Sequence, residues 1–202
     1  AHRRWLSEFV FPAPWSQIAF EEHRRAIEDR LAQCARLEQA LREAVPQWRF
    51  APVVEAIQSL RGVQFTVAVG LIAEIGDLSR FEHPRQLMAW LGVTPSEHSS
   101  GGSRKLGGIT KAGNSYARKV LIEAAWSYRF PAKVSRIIQL RHERVSKPVI
   151  DRAWDAQLRL CGRFRRLTAR GKHPNVAVVG VARELAGYLW DIARMTPVKP
   201  AP

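Results

Sequence analysis

The sequence predicts a mainly α-helical chain, in which a long amphipathic, coiled-coil-like helix precedes a compact helical domain. Three observations carry this. Phe20, Ile27, Cys34 and Leu41 recur every seven positions, with Leu31 and Leu37 in the intervening turns, the spacing of a helix that lays one apolar seam along a partner. Val178, Ala182, Leu185, Leu189 and Ile192 repeat at helical spacing towards the other end, a stripe suited to closing a core. No segment alternates apolar and polar residues convincingly, so no β-strand is expected. The organisation expected is a connector and coiled-coil-like helix over 1–52, a compact domain over 53–196 and a disordered tail over 197–202.

In chain order, the first long helix is expected over 16–43, either packed on its own domain or paired with another subunit. Pro46 and Pro52 bracket a break that Trp48 and Phe50 anchor. Helices are expected over 53–60 and 65–75, on either side of Arg61-Gly62-Val63, and over 84–91 after the Gly76-Asp77 turn. A glycine between two helices lets the backbone turn tightly and point N–H groups outward. Arg61 and Gly62 therefore read either as a helix-hairpin-helix phosphate grip or as an ordinary helical hairpin.

Residues 114–128 are expected as a helix burying Ala117, Leu121, Ala124 and Tyr128. If it begins by Lys111, then Lys111, Asn114 and Arg118 share another of its faces. The interval 133–172 holds twelve Lys and Arg against Glu143, Asp151 and Asp155, and the spacing of Trp154, Leu158 and Cys161 marks a buried stripe on a helix with a cationic back. The last helix is expected over 175–194.

With 32 Lys and Arg against 18 Asp and Glu, the 202-residue chain carries a formal charge of +14 and a pI near 10.9. Such an imbalance repels itself unless a polyanion neutralises it, which favours nucleic acid as partner. A membrane is disfavoured, because no apolar run approaches the ~20 residues needed to span one and the basic residues are not gathered on one amphipathic helix. Cys34 and Cys161 stand far apart in helix-forming sequence, so neither a disulfide framework nor a zinc site is indicated and a reducing cytoplasm fits. No signal peptide follows Ala1, and Phe9-Val-Phe-Pro-Ala-Pro14 reads like the middle of a connection; the chain is expected to be a fragment.

The densest chemistry lies in Pro95-Ser-Glu-His-Ser-Ser-Gly-Gly-Ser-Arg-Lys-Leu-Gly-Gly-Ile-Thr-Lys-Ala-Gly-Asn114, a loop with five glycines and three cations. No carboxylate stands between Glu97 and Glu123, while Arg104, Lys105, Lys111, Arg118 and Lys119 all do. An anion arriving there meets positive charge and hydrogen-bond donors. A Walker lysine motif, a Cys/His cluster at metal spacing and a dense set of carboxylates are all missing, which argues against a complete two-metal nuclease within the chain. A Gly-x-Ser-x-Gly elbow is missing too, which argues against a serine hydrolase. Nucleophilic attack by a serine remains. Ser100 precedes Gly101-Gly102, whose lack of side chains would let a phosphate approach, although a flexible turn has the same composition.

The motifs Leu71-Ile-Ala-Glu-Ile-Gly-Asp-Leu-Ser-Arg-Phe81, Pro84-Arg-Gln-Leu87, Leu91-Gly-Val-Thr-Pro-Ser-Glu-His-Ser-Ser-Gly-Gly102, Gly107-Gly-Ile-Thr-Lys-Ala-Gly-Asn114 and Glu123-Ala-Ala-Trp126 resemble those of the bridge-RNA-guided insertion-sequence transposases, the DEDD-type recombinases. The resemblance runs from His2 to about Ile192. It implies a coiled coil plus the C-terminal transposase domain, with Ser100 as the nucleophile that becomes linked to a DNA phosphate. It also implies that the RuvC-like half, which binds Mg²⁺ in the family, has no counterpart here. The partners implied are DNA, a guide (bridge) RNA and further copies of the full-length protein, in the cytoplasm and nucleoid of a prokaryotic cell. Gly101, Gly102, Arg104, Lys105, Lys111, Asn114, Arg118, Arg61 and Gly62 are the candidate phosphate contacts, and His98 is a candidate proton acceptor that could equally be a plain hydrogen-bond donor to DNA. A noncatalytic helix-hairpin-helix module binding DNA or RNA is the alternative.

Overall fold

A computed structural model describes residues 2–97, 100 and 106–200 of the 202. It divides into two compact units, Ala1–Pro46 and Gln47–Pro202.

The first unit holds α1 (His2–Glu8) and α2 (Pro14–Ala44). Pro14 occupies the first turn of α2, where its missing N–H costs nothing and its fixed φ suits the helix. Phe9 and Phe11, between the two helices, stack edge-on against Phe20 with centroids 6.0 and 5.4 Å away, and Trp5 joins at 5.0 Å from Phe9. Beyond this cluster α2 is held by its own surface, through ion pairs such as Arg24–Glu28 at 3.1 Å and Arg42–Glu38 at 2.5 Å. Exposed pairs of this kind contribute only about 0.3–0.5 kcal/mol each. None of the 31 residues of α2 is buried, and Ile27 on the seven-residue seam is 59% exposed. At about 1.5 Å per residue the helix runs roughly 46 Å.

The second unit has the core. After a 3-10 turn at Val45–Gln47 come α3 (Ala51–Ile57), α4 (Phe65–Ile75), a 3-10 turn at Leu78–Arg80 and α5 (Pro84–Trp90). Strands β1 (Pro95–Glu97) and β2 (Leu106–Ile109) precede α6 (Ser115–Ala125), which runs into a 3-10 turn at Trp126–Arg129. The chain ends in α7 (Arg136–His142), α8 (Lys147–Ala169) and α9 (Pro174–Met195). Helix α9 packs against α3, α5, α6 and α8. Val178, Ala182, Leu185, Leu189 and Ile192 are all buried along it, as their spacing predicts. Its small residues allow close neighbours: a Cβ at Gly187 would stand 3.2 Å from Met88 Cε. The expected face of α6, Ala117, Leu121 and Ala124, is buried, with Tyr128 just beyond it.

Three expectations are corrected. The structure contains a two-stranded antiparallel sheet where no strand was expected; its strands are three and four residues long and glycine-rich, too short to show an alternating pattern. The buried stripe of α8 is Val149, Ala153, Ala156, Gln157, Leu160, Cys161 and Phe164, whereas Trp154 and Leu158 face outward, the latter 51% exposed. Both sets obey a helical period, and α8 selects the one whose alanines let it lie close to α9. Finally, α6 begins at Ser115, so Lys111 lies before the helix and shares no helical face with Arg118.

Leu185 is fully buried on α9. Leu185→Ala should lower the unfolding free energy by about 2–5 kcal/mol in urea titrations, whereas Ile27→Ala on the open face of α2 should change it by less than about 1 kcal/mol.

Candidate active site

The loop singled out by the sequence is built on a backbone clasp. After α5 the chain turns at Gly92 (φ +65) and returns through 110–113 against the same stretch. The Lys111 N–H donates to the Gly92 carbonyl at 3.1 Å and the Thr110 N–H to the Thr94 carbonyl at 2.9 Å. A Cβ at Gly92 would meet the Ala112 carbonyl oxygen at 2.0 Å, and one at Gly113 (φ +77) would meet the Trp90 carbonyl oxygen at 1.8 Å. Both positions therefore require glycine for two reasons, a left-handed backbone and a contact that leaves no room for a side chain.

Above the clasp β1 and β2 pair with Pro95 opposite Ile109 and Glu97 opposite Leu106, the register slipping between the two pairs. The Ser96 hydroxyl donates to the Gly108 carbonyl at 3.1 Å. The hairpin thus carries 98–105 as its connection. Ser100 within it is exposed. His98, Gly101, Gly102, Arg104 and Lys105 lie outside the described residues.

The base of the hairpin is cross-linked by side chains from α6. Arg118 Nη1 donates to the Leu91 and Ala112 carbonyls, both at 3.1 Å, and so ties the outgoing arm to the returning one. Asn114 caps α6: its Oδ1 accepts from the Ala117 N–H at 2.8 Å while its Nδ2 donates to Glu74 Oε2 at 2.5 Å, fixing α6 to the end of α4. Lys111 is exposed and adopts φ +56, a left-handed conformation uncommon outside glycine. Such strain persists only where surroundings impose it, here the hydrogen bond to Gly92.

Arg61 and Gly62 stand elsewhere. A Cβ at Gly62 (φ +86) would meet the Ala124 carbonyl oxygen at 2.2 Å and Ser127 Oγ at 2.6 Å, so this turn packs against the C-terminal end of α6. Arg61 Nη1 donates to the Pro131 carbonyl at 2.7 Å. Ser100, Lys111, Asn114 and Arg118 belong to the hairpin and the other end of α6, about 16 Å away along the helix. The roles of Gly92, Gly113 and Glu74 in the clasp were not legible beforehand; the glycines on either side of the loop were the available signal.

Among the described residues no three His, Cys, Asp or Glu side chains are grouped to hold a metal ion. Glu74 is engaged with Asn114, and Asp77 caps the 3-10 turn through the Ser79 N–H at 2.9 Å. That hydrogen bond, a second from the Ser79 hydroxyl and the charge of Arg49 hold the Asp77 carboxyl below its ordinary range. Its contribution to stability is present above the unfolded carboxylate pKa and is lost as pH falls through the folded one. Burial pushes the Cys161 thiol up, away from thiolate chemistry.

Fold and site together define a helical domain that presents an exposed serine on a clamped hairpin, in a stretch of sequence rich in Lys and Arg. Residues 54–139 match the family described as "Transposase IS116/IS110/IS902 family". The chain is 47% identical over 191 residues to "Putative transposase y4qE" of Sinorhizobium fredii, across 95% of this chain and 46% of that protein. The transposase for insertion sequence element IS1111A of Coxiella burnetii is 41% identical over 71 residues, 35% of this chain and 20% of that one. The transposase for element IS1533 of Leptospira borgpetersenii is 24% identical over 173 residues, 85% and 50% respectively. The chain thus spans half or less of the length of these relatives.

Asn114→Ala should remove the cap of α6 and cost about 1 kcal/mol. Gly113→Ala should cost about 2–4 kcal/mol, because it adds both left-handed strain and a backbone clash. Denaturant titrations followed by circular dichroism measure both.

Proposed function

We propose that this chain is the strand-joining part of an insertion-sequence transposase, a DNA recombinase in which Ser100 forms a covalent phosphoserine with DNA. The observation that carries the reading is the exposed Ser100 on a hairpin whose base is clamped, within a stretch where 98–122 holds five Lys and Arg and no carboxylate. The Ser100 Oγ would attack a backbone phosphorus. An O–P bond forms as the bond to one strand end breaks, the hydroxyl proton passes to a base and the freed strand oxygen takes up a proton. Because one phosphate ester replaces another, rejoining needs no ATP. His98 is the candidate base.

In this reading Arg104, Lys105 and Lys111 meet phosphates, with Gly101 and Gly102 permitting close approach. Arg118 acts chiefly by holding the arms of the hairpin together, since its Nη1 donates to a backbone carbonyl on each of them. A RuvC-like domain outside this chain would bind Mg²⁺, which would activate the scissile phosphate. The partners proposed are DNA, a guide RNA and further copies of the protein joined through α2. No helix among the described residues is long and apolar enough to cross a membrane, and the site of action proposed is the bacterial nucleoid. The noncatalytic DNA- or RNA-binding module is the second reading, and it shares the same cationic surface.

With this chain joined to a RuvC-like half and given a nicked DNA substrate, Ser100→Ala should abolish protein–DNA adducts and leave binding nearly unchanged. One hydroxyl adds little to a phosphate-dominated interface. Ser99→Ala should retain adducts. Peptide mapping of an adduct to Ser96, Ser99 or Ser103 would reject Ser100, and absence of any serine adduct would favour the noncatalytic module.

Duplex DNA affinity of the chain itself should fall linearly on a log–log plot against salt, by about 0.9 per phosphate neutralised. A flat titration would remove nucleic acid as the partner. Ile27→Glu and Leu41→Glu should reduce the mass of any oligomer seen by light scattering; wild-type protein that is itself monomeric at all concentrations would remove the self-pairing role of α2.

A further inference from the structure

At the C-terminal end of α6, about 16 Å from the hairpin, the structure holds an exposed aromatic framed by arginines. Phe130 is 49% exposed. The Arg129 guanidinium lies over its ring at 4.6 Å and also over Trp126 at 5.8 Å, and Arg61 approaches from α3–α4 at 6.0 Å. The arrangement is held from below. Trp126 packs against Phe164 of α8 at 6.5 Å, Arg61 is pinned to the Pro131 carbonyl, Gly62 touches Ala124 and Ser127, and Tyr128 is fully buried beside them.

A ring left half in water at a rigidly supported site is not explained by core packing. Its electrostatic setting is one-sided: no carboxylate stands between Glu123 and Glu143, whereas Arg129, Lys133, Arg136 and Arg141 do. Lys133 and Arg136 are exposed and follow Phe130 within six residues. An acidic or phosphate-bearing partner fits this charge, and a protein helix would use Phe130 only as one apolar anchor. A half-exposed ring with guanidinium groups lying over it, and cations three and six residues on, matches the needs of an unpaired nucleotide. The base stacks on ring and guanidinium, and the flanking phosphates meet the cations.

We propose that Phe130 and Arg129 form a stacking shelf for an unpaired nucleotide, with Lys133 and Arg136 holding its phosphates. The shelf is separate from the Ser100 hairpin, and it rests on the reading of this chain as a nucleic-acid-binding protein. It would hold a displaced or looped single strand, of DNA or of RNA, while the hairpin addresses another part of the complex. Arg61, a candidate phosphate contact from the sequence, acts here by fixing the Phe130 segment.

The test compares an oligothymidylate and an oligouridylate of about twelve nucleotides with a duplex DNA of similar length, by fluorescence anisotropy at several salt concentrations. Phe130→Leu keeps apolar bulk without a π-face, and Phe130→Trp restores one. Phe130→Leu should weaken single-strand binding about ten-fold with the salt slope unchanged, shift duplex binding less than about two-fold, and be rescued by Phe130→Trp. Lys133→Ala and Arg136→Ala should each lower the single-strand salt slope by about 0.7. An effect on only one oligonucleotide identifies the strand as DNA or RNA. Wild-type affinity of Phe130→Leu for both oligonucleotides, or an equal loss on the duplex, would overturn the shelf while leaving nucleic-acid binding intact. Failure of the wild-type chain to bind any of the three would overturn both.

Discussion

Two stretches of backbone, 90–94 and 110–113, meet with no side chain between them, and everything the site does depends on that contact. It brings the end of α5 to the start of α6 and forces 95–109 to leave and return as a hairpin. Hydrogen bonds alone would not hold the register, because each contributes only about 1 kcal/mol net. The glycines make the approach possible and Arg118 locks it, one guanidinium nitrogen accepted by a carbonyl from each arm. The result is a loop that can present a small nucleophile without a large surrounding core. Precision in such a site comes from the supporting shell rather than from the loop itself.

The positive charge is distributed less evenly than the composition implies. On α8, Arg152 pairs with Asp191, and Arg159 and Arg163 share Glu184, so part of its cationic back is neutralised by α9. Between 98 and 142, by contrast, Glu123 is the single carboxylate. Positive charge along 98–142 is therefore left with one carboxylate in the same stretch to offset it. A polyanion would be attracted to such a stretch, and ionic strength would govern how strongly.

What the sequence revealed and what it hid follow from the physics of each element. The stripe of α9, the face of α6 and the span of α4 were legible because their apolar residues keep helical spacing and leave one choice of buried face. The buried face of α8 was not legible because Trp154, Leu158 and Cys161 keep a helical spacing as Ala153, Ala156 and Leu160 do, and close helix packing selects the alanines. The hairpin was hidden because Leu106-Gly-Gly-Ile109 has the composition of a turn, and its pairing comes from a clasp closed by residues outside the strands. Ser100 was legible only as a candidate, through its glycine neighbours and the motif resemblance. The structural duties of Asn114 and Arg118 were not, since a polar side chain that binds phosphate and one that binds a carbonyl look alike in sequence.

Helix α2 has a further consequence. The chain combines a unit whose helices share a buried core with a 31-residue helix that buries none of its residues. Helical order in α2 then rests on local propensity, exposed ion pairs and the aromatic cluster at its start, whereas the second unit is held by cooperative packing. A chain built this way has no single melting temperature. Heat and denaturant will act on the two parts separately, calorimetric and van't Hoff enthalpies will disagree, and amides of α2 will exchange with solvent through local fraying long before those of α9.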